Sequence, residues 1–156
     1  MDEQISFDIE FPELDTKKTK AAIVAAFEKY HMCKYLTFEE REAATTQSYI
    51  VREHGSTNVT SDQTSNIAIY NTDAQTARRA FVYKVERAVK KLPPKERFLI
   101  EKRYMVEDYR YITDQKVYNH VFQPPISQPV FKEIRWRAFY LLAVDLRIAV
   151  LKNSDK

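Results

Sequence analysis

Glycine occurs once in this chain of 156 residues, at Gly55, and its scarcity narrows the fold at once. Sheet proteins of this size take several glycines for hairpin turns and bulges, whereas helices tolerate glycine poorly, so the expectation is an all-α protein. One glycine also cannot build a phosphate-cradling loop. Cysteine is equally rare, and Cys33 alone forms no internal disulfide. No apolar run approaches the ~20 residues of a membrane span. The opening MDEQISFDIEF has neither a basic flank nor a long apolar stretch. The expectation is therefore a cytoplasmic protein without a membrane partner, in which the sequon Asn58-Val59-Thr60 carries no meaning.

Residues that would support catalysis are missing too. His31 and Cys33 lie two apart, which on a helix points them away from one another, and His54 and His120 complete no ligand-spaced set. No serine sits in a nucleophile-elbow context. Glu39 with Glu40, and Glu107 with Asp108, read as solvated helix ends rather than an acid–base pair. The expectation is a protein that is not an enzyme, with no catalytic or metal-binding residues and no cofactor.

What the chain does hold is a globular mixture: 44% hydrophobic, 30% charged and 13% aromatic, enough apolar material for a core in one domain or one domain with a smaller partner. Its net charge of +3 conceals an imbalance. Residues 1–77 carry seven Lys and Arg against thirteen Asp and Glu, a net of −6, while residues 78–156 carry eighteen against nine, a net of +9. A basic second half points to an anionic partner, nucleic acid first among them.

Helical spacing organises most of the sequence. Ile23, Phe27 and Tyr30 recur on one face of the alanine-rich run TKKTKAAIVAAFEKYHMCKYL. Thr37 with Glu40 reads as a capping box that starts a second helix ending near Glu53. The stretch HGSTNVTSDQTSN reads as a linker, and Thr72 with Gln75 as another capping box, opening a helix that aligns Phe81, Val85 and Val89. Leu92-Pro93-Pro94 breaks that helix and starts the next, which carries Phe98, Leu99 and Tyr104. These boundaries divide the chain into an acidic helical N-terminal region (1–54), a polar linker (55–72) and a C-terminal domain (73–152).

The last two helices are the informative pair. Thr113 or Asp114 caps a short helix in which Val117 pairs with Val121 and Tyr118 with Phe122. Pro124 and Pro125 end it, Ser127 caps a longer helix, and Pro129 fits that helix's first turn. At ~100° per residue, Phe131, Ile134, Ala138, Leu141 and Leu142 form an inward stripe. Pro129, Lys132, Glu133, Trp136, Arg137 and Tyr140 face outward, with Gln128 and Arg135 on the flanks. A short helix bracing a longer one with a polar, cationic outer face is what a helix-turn-helix requires. Gln128 suits an adenine edge and Lys132 guanine acceptors, while basic residues neutralise phosphates. The tail LLAVDLRIAVL is apolar on more than one side, which calls for packing against the N-terminal helices or a second subunit.

The run LPPKERFLIEKRY (92–104) resembles the opening helix of region 4 in bacterial sigma factors, and Ile126-Ser127, Val130-Phe131-Lys132 and Arg137-Ala138-Phe139 resemble its recognition-helix half. The combination RYM, DYRYITDQKVYN and VFKEIRWRAFYLLA is similar to the ArpU family of phage transcriptional regulators, over roughly residues 78–145. The resemblance implies an all-α helical bundle with a C-terminal sigma-region-4-like helix-turn-helix. Its DNA-facing set would be Ser127, Gln128, Lys132, Arg135, Trp136 and Arg137. The chain departs from the pattern at Gln123-Pro124-Pro125, where a compact turn commonly uses glycine.

The expected function is sequence-specific binding of double-stranded promoter DNA in a bacterial host cell, as a phage or prophage activator of late genes acting with host RNA polymerase. The acidic helices would form a polymerase contact or a homodimer interface. The chief alternative is a helical interaction module that binds RNA polymerase or a sigma factor without touching DNA. A metal-dependent nuclease is a further rival, for which no clustered acidic motif speaks.

Overall fold

The computed structural model describes residues 11–45 and 62–153, and within them the chain is all-α. Its elements are α1 (Thr16–Thr45), α2 (Asp62–Lys90), α3 (Pro94–Arg103), α4 (Asp114–Lys116), which runs directly into a π-helical turn (Val117–Val121), and α5 (Gln128–Asp145). Among the described residues no strand is present beyond one isolated bridge between Leu14 and Leu151, and no helix is long and apolar enough to cross a membrane.

Asp15 starts α1 by accepting the Lys18 amide at 2.9 Å. The helix then continues through Thr37, so the second helix expected there does not exist. The Thr37 hydroxyl donates to the Cys33 carbonyl at 2.7 Å, one turn back, which satisfies it inside the helix instead of capping a new one. The same correction applies at Thr72: α2 begins at Asp62, and the Thr72 carbonyl accepts the Thr76 hydroxyl at 3.0 Å. A threonine three residues before Glu or Gln can stand inside a helix, where its hydroxyl bonds the carbonyl one turn back or its carbonyl joins the helix, as well as at a helix start. Residues 62–72 of the expected linker are thus helical. Residues 55–61 and the helix end near Glu53 lie outside the described residues.

Punctuation in the second half follows the sequence closely. Leu92 closes α2 with a tightened turn onto Val89 (3.1 Å), and Pro94 opens α3. Thr113 caps α4 by accepting the Lys116 amide at 3.2 Å, and Ser127 caps α5.

One core joins these helices. Ile23, Phe27 and Tyr30 of α1 belong to the same buried cluster as Val85 and Val89 of α2, Leu99 and Ile100 of α3, and Phe131, Ile134 and Ala138 of α5. Phe27 stacks on Tyr104, with ring centroids 5.4 Å apart, and Tyr104 meets Phe139 at 5.3 Å. Each large side chain so buried contributes about 1.5–3 kcal/mol of transfer free energy. On α5 the stripe Phe131, Ile134, Ala138 and Leu142 is buried as expected, but Leu141 is 43% exposed while Phe139 and Ala143 are buried. The covered arc turns because α1 and the segment preceding it lie along the rear half of α5. There the Tyr140 hydroxyl donates to the Pro12 carbonyl at 2.8 Å, and buried Thr19 exchanges two 3.3 Å hydrogen bonds with Val150.

Arg147 terminates α5 in the left-handed region, at φ 59°. Its amide donates to Val144 at 3.2 Å and that of Ile148 to Ala143 at 2.9 Å, which is a Schellman closure with arginine where glycine is usual. Replacing Arg147 by glycine removes the Cβ conflict, so Arg147→Gly is expected to raise the urea-unfolding free energy by about 1 kcal/mol. Tyr30 supplies a pH signature. Its hydroxyl donates to Glu86 at 3.0 Å, and burial first, then the Glu86 carboxylate, push its phenol well above the ordinary 10.0. Below pH 10.0 both folded and unfolded chains keep this proton and the contribution is whole; above it the unfolded chain ionises first and stability falls. Urea unfolding between neutral and alkaline pH should show a shallower alkaline decline for Tyr30→Phe than for the native chain.

Candidate nucleic-acid interface

Four contacts hold the segments on either side of the double proline against each other and against α3. The Ile126 amide donates to the Tyr118 carbonyl at 3.0 Å. Tyr118 lies on Phe131, with ring centroids 5.6 Å apart, and Phe122 packs edge-on against Phe98 of α3 at 4.9 Å. The fourth is electrostatic: the Asp114 carboxylate accepts Arg103 Nε at 2.7 Å through one oxygen and Arg135 Nη1 at 2.6 Å through the other. One acid thereby ties α3, α4 and α5 together.

Arg135 is accordingly turned inward. Its side chain is only 16% exposed, its guanidinium stands 5.5 Å from the Phe131 ring centroid, and among the described residues its Nε is buried without a partner. Burial alone would lower its pKa, but Tyr104 and Asp114 facing it outweigh that effect and hold it above the usual arginine range. Tyr104 is displaced upward as well, chiefly by burial, with Asp114 adding to the effect and Arg135 and Arg103 opposing it.

The remaining residues of the expected DNA-facing set divide by position along α5. Ser127, Gln128 and Lys132 are exposed at its front end, where the Ser127 hydroxyl accepts the Val130 amide at 3.5 Å. Arg137 is 54% exposed yet engaged: its Nε is 3.0 Å from Glu96, whose side chain is 8% exposed on α3, and its Nη1 is 3.6 Å from Glu133. Trp136 is half-buried, with the Lys20 ammonium 5.8 Å from its ring and Tyr140 edge-on at 6.3 Å. Among the described residues Lys132 is the cation of α5 without an ion-pair partner. The structure thus brings Ser127, Gln128 and Lys132 together on open surface and separates Arg135 and Trp136 from them.

Asp114 and Glu96 are the residues that reading the sequence missed. Asp114 had a visible role as a helix cap, but its partner Arg135 lies 21 residues away and Glu96 is 41 residues from Arg137, spacings to which no local periodicity points. His31 donates from Nε2 to the Tyr104 carbonyl at 2.6 Å, since a carbonyl only accepts, and stacks flat on Tyr109 at 3.9 Å, while His54 lies outside the described residues. Among the described residues no group of three or more His, Cys, Asp or Glu is placed to hold a metal ion. Asp114→Ala would leave Arg135 largely covered without its carboxylate, and is expected to cost about 2 kcal/mol in urea unfolding. The figure is below that for a fully buried pair because Asp114 stays 37% exposed; Lys132→Ala should stay within about 0.5 kcal/mol of the native chain.

An uncharacterized phage-related protein of Listeria innocua is similar to this chain, 25% identical over 143 residues that span 92% of this chain and 96% of that protein. No family model matches the chain, and no solved structure matches it.

Proposed function

We propose that this chain is a phage or prophage regulator of transcription that binds double-stranded promoter DNA sequence-specifically through the front of α5, activating late genes together with host RNA polymerase. The observation that carries the reading is the exposed trio Ser127, Gln128 and Lys132 on the first turns of a helix braced by a shorter one. A helix presented by its front end fits the major groove, where base edges display distinct donor and acceptor patterns. The likeness to a phage-related protein along nearly the whole length supports the phage setting.

Roles then separate by what each side chain touches within the protein. Gln128, with both donor and acceptor on one amide, reads an adenine edge. Lys132 meets guanine acceptors or a phosphate, and Ser127 sets the start of the helix. Arg137, held by Glu96 but half open to solvent, lies one turn farther back, within reach of the groove wall. Arg135 acts as a positioning residue through Asp114, and Trp136 through its packing with Lys20 and Tyr140.

A second reading, an interaction module that binds polymerase or a sigma factor without DNA, gains from one observation: the carboxylates Asp114 and Glu96 already engage two of the three cations of α5. Competitive gel shifts with promoter and random duplexes separate the two. Under the DNA reading, Gln128→Ala relaxes preference at one base position by roughly 1–3 kcal/mol. Lys132→Ala weakens binding and, where a phosphate contact is lost, reduces the salt slope by about one. Duplex affinity that is weak for every sequence and indifferent to both substitutions, in folded protein, would leave the interaction-module reading in its place.

A further inference from the structure

The outer face of α2 is a second charged surface, on a helix whose C-terminal end meets the rear of α5. From Thr76 to Lys90 the solvent side of this helix presents Arg79, Tyr83, Lys84, Arg87 and Lys90, all exposed, with Tyr83 65% exposed among the four cations. The one acid in this stretch, Glu86, is half-buried at the edge of this face, where it accepts the Tyr30 hydroxyl, and among the described residues it forms no ion pair with these cations. Among the described residues Arg79, Lys84, Arg87 and Lys90 have no ion-pair partner. Lys91, next along, differs: it reaches Asp145 at the end of α5, at 3.0 Å.

Folding does not account for this arrangement. Arg87 and Lys90 stand in the last turn, where the helix dipole favours cations, but Arg79 and Lys84 lie farther back and gain nothing from it. Like charges three and four residues apart, such as Lys84 with Arg87, repel along an exposed helix, and an ordinary surface would place acids between them. Tyr83 adds a large amphipathic side chain of the kind enriched in protein interfaces.

Position decides the class of partner. The Lys91–Asp145 pair marks where α2 reaches α5, 13 residues beyond Lys132, or about 20 Å along the helix axis. Arg87 and Lys90, within a turn of that contact, stand beside the rear of α5, away from a duplex seated on its front, and the cationic row from Lys90 to Arg79 is roughly 16 Å long. We propose that the α2 stripe is a docking surface for an acidic protein segment, one whose carboxylates meet Arg79, Lys84, Arg87 and Lys90 and whose apolar side chain covers Tyr83.

The test uses the full chain and two fluorescent probes: a synthetic helical peptide with glutamates along one face around a pair of leucines, and a random-sequence DNA duplex, each followed by anisotropy at two salt concentrations. The native chain should bind the peptide, more weakly at high salt. The double substitution Arg87→Glu/Lys90→Glu should weaken that binding about ten-fold or more, the charge-conserving Arg87→Lys/Lys90→Arg should retain it, and Tyr83→Ala should weaken it at both salt concentrations. Circular dichroism establishes that each variant is folded, and the reversal should leave duplex affinity unchanged. The proposal is overturned if the native chain does not bind the peptide, if the reversed chain binds it as well as the native one, or if the reversal costs the duplex as much as the peptide, which would make nucleic acid the occupant. It stands apart from the reading of α5: duplex binding insensitive to Gln128 and Lys132 removes that reading and leaves the α2 result as it is.

Discussion

Asp114 sits between two guanidinium groups, and the relative placement of three helices depends on that one carboxylate. Arg103 comes from the end of α3 and Arg135 from the second turn of α5, while Asp114 itself opens α4. A charge as well covered as that of Arg135 is stable only beside an opposite one, and the pairing is directional enough to fix an angle between elements. Tyr104, the residue that closes α3, faces the same group, and its stacking with Phe27 brings α1 into the arrangement. The presentation of Gln128 and Lys132 is therefore a consequence of an interaction in which neither takes part.

Much of this architecture was legible in the residues, because helix punctuation is local. The break at Leu92-Pro93-Pro94, the caps at Thr113 and Ser127 and the inward positions Phe131, Ile134, Ala138 and Leu142 follow from chemistry acting within one turn or at a helical period. Reading failed where the local signal was ambiguous or the deciding contact distant. Thr37 and Thr72 carried the pattern of a cap, yet their surroundings continue the helix on both sides. Leu141 fitted the apolar stripe, but the rear of α5 is covered from a second direction, and that rotates the buried arc onto Phe139 and Ala143. On α5 the outward pattern of Lys132, Arg135 and Arg137 treated three cations as equivalent; only tertiary contacts assign Arg135 to Asp114 and Arg137 to Glu96.

The excess positive charge of the second half consequently does not collect where composition first suggests. α5 neutralises much of its own through long-range carboxylates, whereas among the described residues four cations on the solvent side of α2 have no ion-pair partner. The protein thus offers two electrostatically distinct faces on one core. Tyr30 links them mechanically, since its ring is buried in the shared core and its hydroxyl fixes the register of α1 against α2 through Glu86.

Thr19 and Val150, the bridge between Leu14 and Leu151, and the Tyr140 bond to Pro12 together grip the rear of α5, while Phe131 and Ile134 seat its front half in the core. In mechanical terms the helix is a beam clamped at both ends, with Asp114 as an added prop near the front. Only about 4.5 Å of axis separates Gln128 from the first buried side chain, too short a length for an α-helix to bend appreciably. Force arriving at Gln128 is therefore taken up within one turn by the core around Phe131.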